Sequence, residues 1–406
     1  MEILYSFVFL YPLFMAFLWI SGALIFLNFR QDKNERSLPS TPPVSILVPC
    51  HNEQDCIRET VEVLMEQNYP DFEIIAIDDG STDDTLKILH ELQNGCDYLR
   101  VVSLETNCGK GAALTFGALA SRSEYLVCID ADALLAPDAV KHFVWHFLNS
   151  PRVGAVTGNP RVRNRTSILG KIQVGEFSSL VNMIKQTQRV IGKVYTVSGV
   201  VCAFRKRALL SAGFWSNNMV TEDVDISWKL QLRFWDVRYE PGALCWILMP
   251  ESIRGLFRQR VRWAQGGNEV LIKYFKAILN WKQRRIWPVY IESFAGVLWS
   301  YAFMATLLLW GLHFFIDLPS PFVVQRVFPP QWTGTVLATV CLLQFTIGFA
   351  LDSKHEKGLY RQFFWLIWYP AVYWLINAVS AVFGLPRAVF KRKSEPALWK
   401  SPDRGI

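Results

Sequence analysis

The sequence is poor in charge and lacks several common signatures of nucleotide-binding and metal-binding proteins. Only 19% of its 406 residues are charged, 51% are hydrophobic, and the mean hydropathy is +0.19. The eight cysteines show neither Cys-x-x-Cys nor zinc-site spacing, which favours free thiols in a reducing compartment. Neither the P-loop pattern Gly-x-x-x-x-Gly-Lys-Ser/Thr nor the dinucleotide pattern Gly-x-Gly-x-x-Gly occurs. P-loop nucleotidases and dinucleotide-dependent enzymes therefore have no support.

Charged residues are also absent from four runs that are long enough to cross a membrane. The first, Ile3–Phe29, has 27 residues, and at about 1.5 Å per residue it exceeds a hydrocarbon core of about 30 Å. A signal peptide is less favoured, because no basic residue precedes this run, and buried core helices are seldom so long. The sequence predicts a transmembrane helix over residues 1–29 and a transmembrane region over residues 287–386. The later runs are Ser293–Ile316, Thr333–Leu351 and Gln362–Pro386.

Basic clusters indicate the orientation of the chain in the membrane. Arg30–Arg36 follows the first run directly and favours a cytoplasmic position for the block at residues 30–286. The tail at residues 387–406 is also basic and favours the same side, whereas four simple spans would place it on the opposite side. One later segment is therefore expected to be re-entrant, interfacial or a hairpin. The net charge of +7 suits a membrane surface and phosphate groups better than nucleic acid.

Short apolar strands alternate with amphipathic helices in the first half of the polar block. This order predicts an α/β fold with a mostly parallel sheet and helices on both of its faces. Polar residues follow the strands, and ligands bind beyond the carboxyl ends of such strands, so these loops should converge on one crevice. The predicted strands are Val44–Val48, Phe72–Ile77, Arg100–Leu104 and Tyr125–Ile129. The predicted helices between them are Gln54–Gln67, Ser81–Leu92 and Lys110–Ala120.

Two carboxylates, Asp130 and Asp132, stand one residue apart at the end of the fourth predicted strand. In an extended chain, side chains at i and i+2 point the same way. Two hard oxygen ligands on one side suit Mg²⁺ or Mn²⁺ that carries a diphosphate. The alternative is a pair of solvated turn aspartates, but the position at a strand end favours the metal site.

Two further residues, Asp79 and Lys110, follow other strands and should face the same crevice. Asp79 is placed to accept a hydrogen bond from a base N–H such as that of uracil, although Asp79-Gly80 also suits a simple turn. Lys110 opens a predicted helix, and helix N-termini attract anions, so we expect a cation there on the phosphate side.

An acidic pair opens another predicted helix, Val224–Leu232. Thr221 suits an N-cap position, and Glu222 and Asp223 suit the positive end of the helix dipole. The functional interpretation makes Asp223 a general base that takes a proton from an acceptor hydroxyl. Burial and neighbouring acids would have to raise its pKa against the dipole.

A basic aromatic segment, Gln259-Arg260-Val261-Arg262-Trp263, is predicted to lie on a helix over residues 254–268. Gln259, Arg262 and Trp263 stand at i, i+3 and i+4 and share one face, while Arg258 and Arg260 are expected on other faces. Arginine offers a planar fork for phosphate, and tryptophan offers a flat platform for a sugar ring. The alternative is a basic amphipathic helix that lies on the membrane surface.

Together these motifs resemble those of the membrane-bound, processive family-2 glycosyltransferases, the group of cellulose, chitin and hyaluronan synthases. The family pattern reads here as Asp79, Asp130-Ala131-Asp132, Thr221-Glu222-Asp223 and Gln259-Arg260-Val261-Arg262-Trp263. Longer stretches are similar to one subgroup, the bacterial biofilm exopolysaccharide synthases that make poly-β-1,6-N-acetyl-D-glucosamine. These stretches are Gly154–Arg161, Gly170–Gln173, Cys245–Glu251, Arg262–Gly267 and Ser401–Ile406.

The resemblance implies a GT-A fold and an inverting enzyme that polymerises N-acetylglucosamine from UDP-N-acetylglucosamine with a divalent cation, Mg²⁺ or Mn²⁺. It implies that Asp223 is the base, that the donor nucleotide meets Asp79, Lys110 and Asp130, and that Asp130 and Asp132 bind the metal. The residues implied to contact the acceptor end or the diphosphate are Glu222, Gln259, Arg262, Trp263 and Ser198. It further implies a place in the bacterial inner membrane, a small membrane partner subunit, and passage of the polymer through the same helices.

Three alternatives stay open on the sequence. The first is a synthase of another β-polymer, such as chitin or hyaluronan. The second is a non-processive lipid-linked sugar transferase, which would normally lack Gln-x-x-Arg-Trp. The third is a non-catalytic membrane transporter or scaffold with a decayed transferase domain. Such a protein should have lost at least one of Asp130, Asp132, Asp223 and Trp263.

Overall fold

An eight-stranded mixed sheet forms the centre of the polar block in the computed structural model, which describes residues 2–29, 37–324, 332–392 and 396–399. The strand order is β3-β2-β1-β4-β7-β6-β8-β5. The first four strands are β1 Val44–Cys50, β2 Phe72–Asp79, β3 Leu99–Leu104 and β4 Tyr125–Ile129. The other four are β5 Leu134–Leu135, β6 Val153–Val162, β7 Val201–Arg205 and β8 Asp236–Ile247.

Parallel pairing joins the first four strands, as the sequence predicts for this half of the sheet. Strand β1 lies between β2 and β4, and β3 lies outside β2, all in parallel. The other half is mixed, because β7 runs antiparallel to both β4 and β6, and β5 runs antiparallel to β8. The carboxyl ends of β1, β2 and β4 therefore open on the same edge, where the polar loops follow.

Thirteen α-helices accompany the sheet in the described part of the chain. In the first half they are α1 Glu2–Phe29, α2 Ile57–Met65, α3 Thr85–Asn94, α4 Lys110–Ala120, α5 Ala139–Leu148, α6 Ile168–Gly175 and α7 Asn182–Ile191. The remaining helices are α8 Lys206–Ala212, α9 Glu222–Leu232, α10 Ile253–Ile278, α11 Trp287–Leu312, α12 Trp332–Asp352 and α13 Trp374–Phe390. A π-helical segment, Glu176–Val181, joins α6 to α7.

Helices cover both faces of the sheet because alternate strand residues point to opposite sides. On β1, Ile46 belongs to a core that includes Leu64 of α2 and Phe143 of α5. The next residue, Leu47, belongs to a second core with Leu114 of α4 and further residues of α8 and α9. All seven residues of β1 are buried, as expected for a parallel strand between two helical layers.

Three described helices are long and apolar enough to cross a membrane: Glu2–Phe29, Trp281–Leu312 and Gly334–Asp352. They fall on the first three runs that the sequence indicates, and the chain is therefore membrane-associated. The basic cluster Arg30–Arg36 and the segment Ser401–Ile406 lie outside the described residues.

The fourth apolar run does not form one membrane-length helix. It is divided into a 3₁₀ segment, Leu359–Trp368, a π-helical segment, Tyr369–Tyr373, and then α13. A proline in the middle of this run, Pro370, has no N–H to donate to a regular helix. The run also packs against α10, where a Cβ placed on Gly384 would stand 2.7 Å from that of Ala264. The fourth apolar run therefore differs from the single spanning helix that its hydropathy indicates.

A buried ion pair connects the sheet to the membrane-length helix α12. The guanidinium of Arg161 in β6 forms two hydrogen bonds to Asp352 at the end of α12, and both side chains are fully buried. Ser178 accepts from the same guanidinium at 2.9 Å, and Asn182 donates to Asp352 at 2.8 Å. Because these partners come from β6, the π-helical segment, α7 and α12, the pair fixes how these elements meet.

Replacing Asp352 by asparagine is expected to destabilise the protein strongly, because it leaves the buried Arg161 charge without its main partner. The loss expected for such a change is about 3 kcal/mol, and it would lower the melting temperature of the detergent-purified protein. The matched control is Glu59→Gln, which breaks an exposed ion pair with Arg163 and should cost less than about 1 kcal/mol. Equal melting temperatures for the two variants would contradict this account.

Candidate functional site

In the crevice, the Lys110 ammonium contacts residues from three other segments of the chain. Lys110 begins α4, and its Nζ lies 2.5 Å from Asp130 Oδ1 and 3.4 Å from Glu222 Oε1. It also donates to the carbonyl oxygen of Gly199 at 3.0 Å. Burial alone would lower the pKa of Lys110, but the carboxylates of Asp130 and Glu222 outweigh burial and raise the pKa above its ordinary value. Lys110 therefore stays charged at neutral pH.

Asp132 stands two residues beyond Asp130 and is half-buried on the same loop after β4. In the described part of the chain, no group of three or more histidine, cysteine, aspartate or glutamate side chains is placed to hold a metal ion by itself. Two carboxylates nevertheless fit Mg²⁺ or Mn²⁺, because such ions commonly take one or two protein carboxylates and complete their shell with water and substrate phosphate.

Asp79 is fully buried and organises the loop that leads to Lys110. Its two carboxylate oxygens accept hydrogen bonds from the backbone N–H groups of Cys108 and Gly109, both at 2.8 Å. Burial raises the pKa of Asp79, while these two amides act in the opposite direction. The loop requires glycine at position 109, where φ is +89°. Asp79 thus holds the backbone of the loop before Lys110 in place. Its contact with a nucleobase stays a prediction.

The described part of the tail covers this side of the crevice, which the sequence does not indicate. Asn107 donates to the Trp399 carbonyl at 3.0 Å and accepts from the Trp399 N–H at 3.3 Å. The Trp399 ring centroid lies 6.3 Å from that of His51, and Ala397 donates to the Asn217 carbonyl at 2.8 Å. The one available sequence signal is the short apolar stretch Pro396–Trp399 within the basic tail.

Asp223 lies in the first turn of α9, next to Glu222 and close to the Lys110 ammonium. Its Oδ2 accepts from the Gly199 N–H at 3.1 Å, and its Oδ1 accepts from the Val224 N–H at 2.9 Å. Burial and the adjacent Glu222 carboxylate raise the pKa of Asp223 to about 6, against the opposing charge of Lys110. A carboxyl group with this pKa is mostly ionised at pH 7 and is still basic enough to take a proton.

A tight turn at Ser198 places Gly199 between Lys110 and Asp223. The Ser198 N–H donates to Thr157 Oγ1 at 2.8 Å, and Val201 N–H donates back to the Ser198 carbonyl at 3.1 Å. Thr157 also accepts from the buried Lys185 ammonium at 3.1 Å. Sequence reasoning missed Lys185, because nothing in its local pattern distinguishes it from a surface lysine on an amphipathic helix.

Gln259, Arg262 and Trp263 lie on α10, which extends well beyond the predicted residues 254–268. Gln259 Oε1 is buried without a hydrogen-bond partner among the described residues, whereas Arg262 is exposed. Trp263 is 37% exposed and lines a cavity of about 280 Å³ together with Tyr195 and residues of α11 and α13. No described hydrogen bond joins Gln259 or Arg262 to Asp130, Glu222 or Asp223, so their functional roles stay predictions.

Helix α10 packs closely against the start of α9, next to Glu222 and Asp223, because residue 266 is a glycine. A Cβ placed on Gly266 would stand only 2.1 Å from Thr221 Oγ1. Thr221 is the N-cap residue of α9, but its side chain makes no capping hydrogen bond. The predicted side-chain cap is therefore absent, and Thr221 instead packs against α10, directly before Glu222 and Asp223.

A family model described as glycosyltransferase like family 2 matches residues 42–266, which is more than half of the chain. The chain belongs to this family. The glycosyltransferase membership predicted from the motifs, and with it the enzyme class, are confirmed.

The similarity to curated members of the family extends over nearly the whole chain. The chain is 37% identical over 407 residues to a poly-β-1,6-N-acetyl-D-glucosamine synthase of Staphylococcus epidermidis, covering 99% of this chain and 98% of that protein. A synthase of the same name from Staphylococcus aureus strain MSSA476 is 37% identical over 410 residues with the same coverage. The predicted resemblance to this subgroup is thus confirmed.

A solved structure supports the fold. A mannosyltransferase from Pyrobaculum calidifontis, determined with GDP-Man and Mn²⁺, superposes with a TM-score of 0.69 over 96% of this chain and 97% of that chain. At 21% identity this likeness concerns the fold alone. The predicted GT-A-type fold, with a sheet between helical layers and apolar helices at both ends, is confirmed.

Replacing Lys110 by methionine is expected to move the acid limb of the pH–activity profile to higher pH. The Lys110 charge holds down the pKa of Asp223, which is already raised to about 6, so its removal makes Asp223 easier to protonate. Sugar transfer should then be lost at a higher pH as the pH falls. The measurement is the transfer rate of each variant between pH 5 and 8, normalised to its own maximum. Lys110→Arg keeps the charge and should keep the midpoint; an unchanged midpoint in Lys110→Met would contradict the electrostatic link.

Proposed function

We propose that the chain is a processive, inverting transferase that polymerises N-acetylglucosamine from UDP-N-acetylglucosamine into the β-1,6-linked exopolysaccharide of a biofilm matrix. The observation that carries the choice of polymer is the 37% identity, across 99% of the chain, to synthases named for this product. The contacts of Lys110 support the chemistry, because they join a cation, the half-buried Glu222-Asp223 pair and the Asp-x-Asp loop in one crevice.

Asp223 is the general base in this proposal. Hydrogen bonds from the Gly199 and Val224 N–H groups fix both of its oxygens, and its pKa of about 6 leaves it ionised at neutral pH. The acceptor hydroxyl transfers its proton to Asp223 as its oxygen attacks the anomeric carbon. The bond from this carbon to the UDP oxygen breaks on the opposite side, so the configuration inverts.

The donor side is formed by the loop after β2, the N-terminus of α4 and the loop after β4. Lys110 offers a fixed positive charge to the leaving diphosphate, and the first turn of α4 adds backbone N–H groups that favour anions. Asp130 and Asp132 would hold Mg²⁺ or Mn²⁺, which when bound neutralises charge on the diphosphate. The mannosyltransferase of similar fold, solved with Mn²⁺, supports such an ion.

The acceptor side is formed by Ser198, Glu222 and the α10 residues. Gln259 Oε1 is a buried acceptor without a described partner, so a sugar hydroxyl suits it better than a phosphate oxygen, which has no hydrogen to donate. Trp263 offers its ring to the terminal sugar on the cavity of about 280 Å³. The cavity also touches α11 and α13, so it offers the lengthened chain a route toward the membrane helices.

The proposed location is the bacterial inner membrane, with several passes and a cytoplasmic transferase domain. Three membrane-length helices support the passes. A UDP-sugar and a polymer are the proposed ligands, and a small membrane subunit is the proposed partner because the subgroup resemblance implies one.

The direct test uses membranes that contain the wild-type chain or its Asp223→Asn variant, supplied with radiolabelled UDP-N-acetylglucosamine and Mg²⁺. Wild-type membranes should label a high-mass product that a β-1,6-specific hexosaminidase degrades. The variant should lose activity by about 100-fold or more, because amide nitrogen cannot take the proton. The control is Asp138→Asn, an exposed aspartate whose partners are Lys141 and Asn68, which should retain activity. A product that resists this enzyme and is cut by chitinase would contradict the proposed linkage.

Removing divalent cations should abolish polymer synthesis, and adding Mn²⁺ or Mg²⁺ back should restore it. Asp132→Asn is expected to need about tenfold or more metal for half-maximal rate, because it removes one of two carboxylate ligands. The measurement is the initial rate against free metal concentration after treatment with EDTA, with metal-saturated EDTA as the control. Full activity in EDTA would contradict a metal requirement.

A further inference from the structure

A buried arginine lies against the ring of Trp263, within the same motif. The Arg260 guanidinium carbon is 4.6 Å from the centroid of the Trp263 ring, and Arg260 is only 8% exposed. The sequence places Arg260 on another face of the helix, but residues three apart are neighbours on a helix surface, and the structure corrects this expectation. The indole is therefore held by a cation on one side while its exposed part lines the cavity.

Glu176 holds this guanidinium in place. Its two carboxylate oxygens accept from the two terminal nitrogens of Arg260 at 3.0 and 2.6 Å, and Glu176 is 5% exposed. Such a bidentate pair fixes the plane of the guanidinium. The Tyr373 ring, 5.8 Å from the guanidinium carbon, adds a further contact from the segment before α13. Arg260 is thus held by Glu176 of the π-helical segment before α7 and by Tyr373 in the middle of the fourth apolar run.

The stability of the folded protein gives only a weak reason for burying Arg260 and Glu176 together. Two charges buried together recover little more free energy than apolar side chains of the same size. Its geometric consequence is more specific, because the pair determines the plane of the cation that contacts Trp263. A cation over an indole favours particular orientations of the ring, and a rigid ring is what stacking on a sugar requires.

We propose that Arg260 and Glu176 are positioning residues that hold Trp263 in the orientation that binds the acceptor sugar, and that they thereby set how far a chain is extended before it is released. This inference rests on the proposed function, in which Trp263 contacts the terminal sugar. Neither residue contacts Lys110, Asp130 or Asp223 in the described hydrogen bonds and ion pairs, so donor binding should be independent of them.

The test replaces both members of the pair, Arg260→Met with Glu176→Gln, in the full-length chain in membranes. The double change avoids leaving one buried charge alone, which would destabilise the protein. The double variant should make shorter polymer with kcat lowered about tenfold, the order expected for one desolvated cation–π contact. The KM for UDP-N-acetylglucosamine should stay within about twofold of wild type, because donor contacts are unchanged.

Two further variants separate positioning from general damage. Arg258→Met changes an exposed arginine on the same helix and should behave as wild type. Arg260→Lys keeps a positive charge but loses the bidentate fork, so it should recover part of the polymer length. Normal length and rate in the double variant, or a donor KM that rises as much as kcat falls, would overturn the inference.

A Trp263→Ala background tests whether the pair acts through the tryptophan. If it does, adding Arg260→Met and Glu176→Gln to Trp263→Ala should change polymer length and kcat little further. Losses that simply multiply would show that the pair acts elsewhere and would overturn the inference.

Hydroxyl-radical footprinting gives a result that does not depend on activity. Oxidation of Trp263 should increase in the double variant relative to wild type and Arg258→Met, while the fully buried Trp228 should stay protected as the internal check of folding. Unchanged Trp263 oxidation would overturn the positioning role. Failure of wild-type membranes to make polymer from UDP-N-acetylglucosamine would instead overturn the proposed function, and the footprint would then decide the positioning role by itself.

Discussion

The Lys110 ammonium is the interaction on which the rest of the crevice depends. It connects Asp130 after β4, the Gly199 carbonyl after the Ser198 turn, and Glu222 at the start of α9. These residues come from parts of the chain that only the fold brings together. Without this charge, the carboxylates would repel one another, and Asp223 would be protonated at a higher pH. One half-buried cation therefore sets both the geometry of the site and the protonation state of its proposed base.

Two buried ion pairs extend this arrangement toward the membrane. Arg161 with Asp352 joins the sheet to α12, and Arg260 with Glu176 joins α10 to the π-helical segment. Both pairs cost desolvation free energy and fix orientation, so their main effect is geometric rather than stabilising. The sugar-transfer crevice, the cavity beside Trp263 and the apolar helices are consequently held as one unit. A transferase that extends a chain repeatedly needs its acceptor kept in line with its base, and this connection provides that alignment.

Local periodicity explains how much of the structure could be predicted from the sequence. Helix α4 and strand β4 have the predicted bounds, because each is a short element with a clear apolar pattern and polar ends. The positions of Asp79, Asp130 and Asp223 could be predicted because the first two stand at strand ends and the third opens a helix, whereas their roles stay predictions. Two features could not be predicted. The contacts of Arg161 and Trp399 join residues 191 or more positions apart, and hydropathy alone cannot distinguish a spanning helix from the divided fourth run.

The most direct measurement is an NMR determination of the anomeric configuration and linkage of the polymer formed from UDP-N-acetylglucosamine. The donor carries its sugar in the α configuration, so a single displacement assisted by Asp223 must give a β product. The account predicts β-1,6-linked N-acetylglucosamine throughout the chain. An α-linked product would contradict the single displacement, and a β-1,4-linked or β-1,3-linked product would contradict the proposed polymer.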